Sequence, residues 1–509
     1  MFVATVLAAV AALLAAFWYY FSRNFGYWTE RGVVSCNPFS LTGDRGGGIP
    51  FGKPFYELLT PIYNKYKGKE RVVGTFQARR PILVALDPEV TKAVLTKDFS
   101  HFHGRGQPTD ESDPFSQNLF FLEGARWKNL RMKLSPTFTS GKLKGMFPLM
   151  AGITDQLNDA VREKAAHGDK QVEFKDILLR YSTDVIGSVA FGIDCNTVKG
   201  GNDDFLNMSR ELFRRNFIFL LRFFLISVHP VFVKLLPFKR IFKDMTEFFL
   251  KLMSDTVNYR EKNKVERNDF VQIMMQLREE DRNRSTLDRA SHVELNNDTM
   301  AAQAFLFFVA GLDSVANTIG FALHELAMNH ALQRRAVAEI QENIRKHGSL
   351  TYDAVRDMEL IERIVRESLR KYSPVGILTR QPSEPIKIPD SDVVIDPSVM
   401  VWIPVWQAMH DPDIFPEPER FDPDRFTEEA KKTRHQYNYL PFGEGPRFCV
   451  AERFAILEMK LCIAGLLQQH VFDAGSKTDV KLKLDPKTSS PTPQNGFWLQ
   501  VTDRPTSAL

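Results

Sequence analysis

Cysteine is scarce in this chain. Four occur in 509 residues, Cys36, Cys195, Cys449 and Cys462, and no two have the spacing of a CxxC pair. That excludes a disulfide framework and points to a reducing compartment for the folded body. Charge of one sign is equally short: 66 Lys and Arg stand against 62 Asp and Glu, a net charge of +4. With no basic arm and no basic aromatic stripe, the chain does not read as a nucleic-acid binder. It carries no flavin or nicotinamide fingerprint, no internal repeat and no low-complexity block. The run Arg45-Gly46-Gly47-Gly48 has neither a strand before it nor a helix after it, so it reads as a flexible loop rather than a phosphate cradle.

Apolar and aromatic material is plentiful. Aromatics make up 12 % of the chain, with 41 Phe. Any single Phe reads first as core, although such richness also suits a large apolar pocket. Phe2 to Phe21 carries no charge, and about 20 apolar residues suffice to cross a bilayer as a helix. Trp18, Tyr19 and Tyr20 cluster where an interfacial aromatic belt would sit. No basic region precedes the run, and it is longer than the core of a cleaved signal peptide, so it reads as a retained anchor. Arg23 and Arg31 behind it place the body on the cytosolic side. The expected organisation is an anchor over 1–22, a hinge over 23–50 and a single large domain over 51–509.

Within that domain, Val72–Gln77 and Pro81–Leu86 read as a hairpin. Asp87-Pro88 opens a short helix. From Gly124 to Lys371 the periodicity is mainly helical. The stretch 212–242 is densely apolar, and Asn263 to Arg289 reads as a charged, solvated connection. The longest helix is expected from Asp298 to about Met328, capped by Asn297 or Asp298. Proline and short strands dominate from Tyr372 to Pro446. A last helix follows Cys449, and short strands return over Asp479 to Val501. The pattern is α+β, mainly α, in one unit.

Cys449 stands out by its surroundings, PFGEGPRFCVAERFAILEMK. Glycines before it allow a tight loop and close approach to a flat cofactor. The helix expected from Ala451 places the thiol near a helix N-terminus, which favours the thiolate. A lone cysteine is otherwise most often a buried, inert thiol. Glu367 and Arg370, at i,i+3 in RESLRKYSP, share a helix face. In AGLDSV, Ala310 to Val315, Gly311 is costly in mid-helix, by about 1 kcal/mol. An acid and an alcohol follow it, and the Ser314 hydroxyl can bond a carbonyl one turn back and open the helix locally. Trp127 and Arg131, in GARWKNLRMKL, lie on one face at i,i+4.

These motifs resemble those of the cytochrome P450 heme-thiolate monooxygenases. Phe442, Gly445, Arg447 and Cys449 match the pattern FxxGxRxC in register. The resemblance implies that Cys449 is the axial ligand of a heme b iron. It also implies that Phe442 shields the sulfur and that Arg447, Trp127, Arg131 and Arg380 hold the propionates. Glu367 and Arg370 match the family's ExxR pair and are expected to lock to Arg420 in PEPERFDPDRF. Asp313 and Ser314 match an acid–alcohol relay that delivers protons, with Ser where Thr is usual. Ala451 stands where Gly is commonest.

DFSHFHGRG, LSPTFTSGKLKGMF and YWTERGV resemble the insect microsomal group known for detoxification. The implied function is oxygenation of lipophilic small molecules, among them insecticides and plant toxins, at the endoplasmic reticulum membrane. Electrons are expected from NADPH through a separate cytochrome P450 reductase, with cytochrome b5 as a second donor. By family position, Phe115, Phe120, Phe121, Phe305, Phe308, Ala310, Val375 and Ile377 are expected to line the substrate pocket, with 212–242 capping it. Arg126, Lys128, Lys133, Lys142 and Lys144 offer a basic face for an acidic redox partner. Two alternatives stay open: an endogenous hormone or pheromone as substrate, and a reductase-independent heme isomerase.

Overall fold

The computed structural model is built around the most apolar long helix of the sequence. It describes residues 2–36, 54–77, 79–107, 109–167, 169–201, 204–213, 225, 231–236, 242–282, 292–486, 488 and 490–505. The helices that frame the site are α1 (Phe2–Ser22), α2 (Gly124–Leu134), α3 (Ser140–Ala166), α4 (Phe174–Ile186), α5 (Lys243–Asn263), α6 (Asn297–Met328), α7 (His330–His347), α8 (Glu359–Lys371) and α9 (Glu452–Gln469). α6 is 32 residues long and is capped by Asn296, whose side chain accepts from the Thr299 amide at 2.8 Å. The cap thus falls just before the two residues expected from sequence. α6 has the length and composition of a membrane-crossing helix, yet most of it is buried. A helix apolar on nearly every side needs neighbours on every side, and α4, α5, α8 and α9 all pack against it.

Three small sheets lie around this bundle. The largest has strand order β1-β2-β7-β4, with β1 (Val72–Gln77) and β2 (Arg80–Ala85) forming the expected hairpin. β7 (Met400–Ile403) runs parallel to β2, and β4 (Leu378–Arg380) closes the sheet antiparallel to β7. A second sheet joins β3 (Gln171–Glu173), β9 (Trp498–Asp503) and β8 (His470–Asp473) in the order β3-β9-β8. β5 (Ile386–Lys387) pairs only with β6 (Val394–Ile395). Of the strand content expected over 479–501, the described residues hold an isolated bridge, Leu484 to Pro493, and the start of β9.

The expected hinge is partly docked. Residues 24–36 return to the large sheet, where the buried Trp28 indole donates to the Thr75 carbonyl at 2.9 Å. Gly74 is required beneath it, since a Cβ there would overlap the indole ring. Tyr27 donates to Asp396 at 2.8 Å, and Asn24 to the Arg79 carbonyl at 3.0 Å. Residues 37–50, the rest of that hinge, lie outside the described residues, as does most of 212–242. The charged stretch expected as a solvated connection contains a helix, Phe270–Arg282, that buries Phe270, Val271 and Met274. Its apolar positions recur at helical spacing, which outweighs the charge between them. α1 is helical over its full length and exposes Phe2, Leu7, Leu14, Trp18 and Tyr19.

One acid sits deep in this core. Glu458 of α9 is fully buried, and neither carboxyl oxygen has a hydrogen-bond partner among the described residues. Burial alone pushes its carboxyl well above the usual carboxylate range. Folding therefore binds a proton that the unfolded chain gives up at neutral pH. The stability this group contributes is present below the unfolded carboxylate range and is lost as pH rises towards the folded value. Glu458→Met is expected to raise the unfolding temperature at pH 8 more than at pH 5, measured by circular dichroism melts across that range.

Candidate active site

The segment before α9 is shaped by two glycines. Gly443 and Gly445 both adopt φ of +74°, and a Cβ on Gly445 would overlap the Leu95 carbonyl oxygen. That left-handed geometry favours glycine on conformational grounds, and the contact demands it on steric ones. The loop then closes on itself. The Cys449 amide donates to the Phe442 carbonyl at 2.8 Å, and the Phe448 amide to the Gly445 carbonyl at 2.9 Å. Phe442 is half-buried against the main core, so its backbone fixes the cysteine while its ring anchors the loop. Ala451 caps α9 with φ of −98°, a conformation any residue adopts, so alanine imposes no backbone cost there.

Cys36, Cys195 and Cys462 are buried, whereas Cys449 keeps accessible surface. Burial of its sulfur atom nonetheless pushes the thiol up and outweighs the Ala451 amide, Arg131 and Arg105, which favour the thiolate. The helix N-terminus alone therefore does not ionise Cys449. A coordinated metal would, because a ligating thiol is deprotonated outright.

Four arginines meet beside this loop from four different segments. Arg447 belongs to the loop itself, and its guanidinium donates to the Leu122 carbonyl at 2.6 Å. It lies 4.4 Å above the Trp127 ring of α2. Arg131, also on α2, donates to the Phe448 carbonyl at 3.0 Å and covers the Phe448 ring. Arg380 ends β4, is buried, and donates only to the Thr379 carbonyl next to it among the described residues. Arg105 contacts the Arg447 carbonyl at 3.4 Å and sits 3.9 Å over the Phe120 ring. Burial pushes Arg380 and Arg447 down to about 9 and Arg105 to about 10; Arg105 further depresses the other two by repulsion. Glu123, a carboxylate that acts on Arg447, is occupied by the Arg105 and Gly106 amides. The Nε atoms of Arg380 and Arg447 have no partner among the described residues.

On α6, buried residues give way to a short accessible stretch. Ala310 is exposed, and Gly311, Asp313 and Ser314 are half-buried, between buried residues on both sides. The Ser314 hydroxyl donates to the Ala310 carbonyl at 2.5 Å, and Thr318 repeats the pattern onto the Ser314 carbonyl at 2.7 Å. Asp313 turns to the C-terminal loop, where Ser490 Oγ donates to its Oδ2 at 2.7 Å. Burial pushes this carboxyl up, opposed by the Ser490 bond, Lys175 and Asn317.

Behind the cysteine loop, Arg370 of α8 grips Glu367 with two hydrogen bonds of 2.7 and 2.9 Å, and both residues are fully buried. Arg370 also donates to the Met409 and Pro418 carbonyls at 2.9 and 2.7 Å. The third member expected from sequence, Arg420, is not there. It is exposed and pairs with Glu417, within its own turn. Arg425 stands in its place, 3.5 Å from Glu367 Oε1. The reason lies in the turn Pro423–Phe426: the Asp422 amide docks on Glu367 at 2.9 Å, and the chain direction set there carries Arg425 inward.

A family model described as "Cytochrome P450" matches residues 48–501. The chain is 36 % identical over 506 residues to "Cytochrome P450 6A1" of Musca domestica, covering 97 % of each protein. It is 36 % identical to "Cytochrome P450 6k1" of Blattella germanica, over 95 % of this chain and 94 % of that one. "Probable cytochrome P450 6a14" of Drosophila melanogaster is 36 % identical, over 97 % of this chain and 99 % of the relative. The chain belongs to the cytochrome P450 family. It is a monooxygenase by class, and the family implies a heme. The residues present fit one: a soft thiol in a glycine loop, and four guanidinium groups that form no ion pair among the described residues and suit two propionates.

In this cytochrome P450 the residues expected to line the substrate pocket divide. Phe120, Phe121, Ala310 and Val375 keep accessible surface. Phe308 is fully buried against Phe205 and Phe249, and Phe305 stacks on Phe115 with centroids 4.2 Å apart. A helix turns about 100° per residue, so Phe308 points nearly opposite to Ala310. Ile377 packs with Leu59, Ile82 and Trp402 against the large sheet. Phe115, Phe305, Phe308 and Ile377 are buried members of the hydrophobic clusters. Lys133 likewise leaves the expected docking face: it is buried and bonds Asp281 and the Val293 carbonyl. Sequence reasoning missed Arg105, Arg425 and Ser490. Arg105 lay within the quoted run DFSHFHGRG, and Arg425 lay in the same loop as Arg420.

Arg425→Ala is expected to lower heme retention during purification, read from the ratio of Soret to protein absorbance, whereas Arg420→Ala leaves that ratio at the wild-type value. Equal losses in both would remove the distinction.

Proposed function

We propose that the chain is a membrane-anchored monooxygenase of the endoplasmic reticulum that oxygenates lipophilic small molecules, xenobiotics such as insecticides and plant toxins among them. Cys449 would hold the heme iron through its thiolate. Electrons come from NADPH through a separate reductase, with cytochrome b5 as a second donor. The observation that carries this reading is the meeting of a glycine-loop thiol with four acid-starved arginines. When bound, heme supplies the dioxygen chemistry, in which RH, O2, two electrons and two protons yield ROH and water.

The chain's own residues do the rest. Arg105, Arg131, Arg380 and Arg447 orient the cofactor by its propionates, and Trp127 fixes Arg447 from below by cation–π contact. The Cys449 amide bond to Phe442 holds the sulfur at one position in the loop. Ser314, by taking the Ala310 carbonyl, keeps a hydroxyl at the accessible stretch of α6. Asp313, whose carboxyl burial pushes up, is the acid that resupplies protons there. Phe120, Phe121 and Val375 give the substrate apolar contact with few polar anchors, which suits lipophilic ligands. α1, with apolar side chains exposed, is the tether.

Cys449→Ala is expected to abolish the thiolate-type carbon monoxide difference spectrum while the protein still folds; an unchanged spectrum overturns the ligand assignment. Removing residues 1–22 is expected to shift most of the protein from the membrane pellet to the supernatant after a salt wash. Metabolite profiling with reductase and NADPH, across insecticides, plant compounds and hormones, tests the substrate class. Turnover confined to a hormone or pheromone would replace the xenobiotic reading.

A further inference from the structure

The acid of the α6 stretch is held from outside its own helix. Ser490 Oγ donates to Asp313 Oδ2 at 2.7 Å. One turn further on, Asn317 donates to Thr492 Oγ1 at 3.1 Å. Two α6 residues are therefore tied to one C-terminal stretch, of which 485, 486, 488 and 490–493 are described. Hydroxyls and backbone link those described residues to one another. Thr488 donates to the Asp485 and Ser490 carbonyls, each at 2.8 Å, and Thr492 donates to the Ser490 carbonyl at 3.2 Å. The Asp485 amide donates to the Thr492 carbonyl at 2.8 Å, and Leu484 bridges Pro493. With the Ser490 carbonyl held by two threonines, its hydroxyl has a defined direction, and that direction is Asp313.

We infer that Ser490 is a positioning residue for Asp313, setting the side-chain orientation of the relay acid and coupling proton supply at α6 to the conformation of that C-terminal stretch. The inference rests on reading Asp313 as the relay acid. A serine suits the task in a way an arginine would not. One neutral donor to a carboxylate is a weak tie, able to break and re-form. The Glu367–Arg370 pair, with two bonds and full burial, does not open in that way. The charged group acting on Asp313 from the neighbouring helix is Lys175 of α4, and Asn317 adds a further donor from α6 itself. Both favour the carboxylate, as Ser490 does, and burial opposes all three. Loss of the serine hydroxyl therefore favours the protonated acid, and a pH profile governed by Asp313 moves to higher pH.

The test uses the full-length holoenzyme with reductase and compares Ser490→Ala, Ser490→Thr, Asp313→Asn and the double variant Asp313→Asn/Ser490→Ala. Losing one hydrogen bond to a charged group corresponds to about a tenfold fall in product formed per NADPH consumed for Ser490→Ala, which threonine restores. The pH profile of that ratio moves up in Ser490→Ala. In the resting enzyme, the carboxyl stretch assigned by the infrared difference between wild type and Asp313→Asn moves to higher frequency, because its hydrogen bond is gone. The double variant behaves as Asp313→Asn alone. An unshifted carboxyl band, or a Ser490→Ala effect that persists in full without Asp313, overturns the inference. If Asp313→Asn leaves coupling and its pH profile at wild-type values, the relay reading itself falls and takes this inference with it. The single variant separates that outcome from failure of the serine alone.

Discussion

Four guanidinium groups lie side by side, two of them buried, and none forms an ion pair with an acid among the described residues. Burial and mutual repulsion depress Arg380 and Arg447 together, and the available acid, Glu123, is spent on backbone amides. Such an arrangement costs folding free energy unless a partner brings its own negative charge. The arginines come from the 101–107 loop, α2, β4 and the cysteine loop, so whatever neutralises them also clamps four separate parts of the fold. The propionates of a heme would meet that requirement, and Cys449 would hold the same group through its sulfur.

The protein then uses two kinds of polar contact around this centre, and their strengths suit their tasks. Glu367 and Arg370 form a buried bidentate pair whose remaining donors reach two backbone carbonyls, which fixes α8 to the 409–425 segment. Breaking such a pair strands a buried charge, so the frame behind the cysteine loop stays rigid. Asp313 is held by the neutral hydroxyl of Ser490 instead. The frame does not need to move, whereas an acid that passes protons does. In the middle of α6, Ala310 is exposed and Gly311, Asp313 and Ser314 are half-buried.

Much of the chemistry was legible in the sequence, for a physical reason. A loop that must bring a sulfur up to a flat cofactor needs glycine at left-handed positions and at close contacts, and Gly443 and Gly445 meet both conditions. The hydroxyl of Ser314 bonds one turn back because that is what a helix offers it. The Glu367–Arg370 spacing places both groups on one face, and they do pair. Long-range partners were less legible. Arg420 and Arg425 differ by five positions in one proline-rich segment, and no local rule says which of them turns inward. Phe305 and Phe308 share a helix with Ala310, yet which face meets the core and which meets the site depends on how α5 packs against α6.

The sequence by itself determined the fold class and the family, because those rest on local backbone geometry and on residue types whose chemistry has few substitutes. Only the tertiary structure decided that Arg425 rather than Arg420 reaches Glu367, that Arg105 completes the arginine cluster, and that Ser490 holds Asp313. It also decided that residues 24–36 dock on the large sheet through Trp28. Each of these is a contact between segments far apart in the chain. Such contacts are set by the packing of whole elements, which no single stretch of sequence encodes.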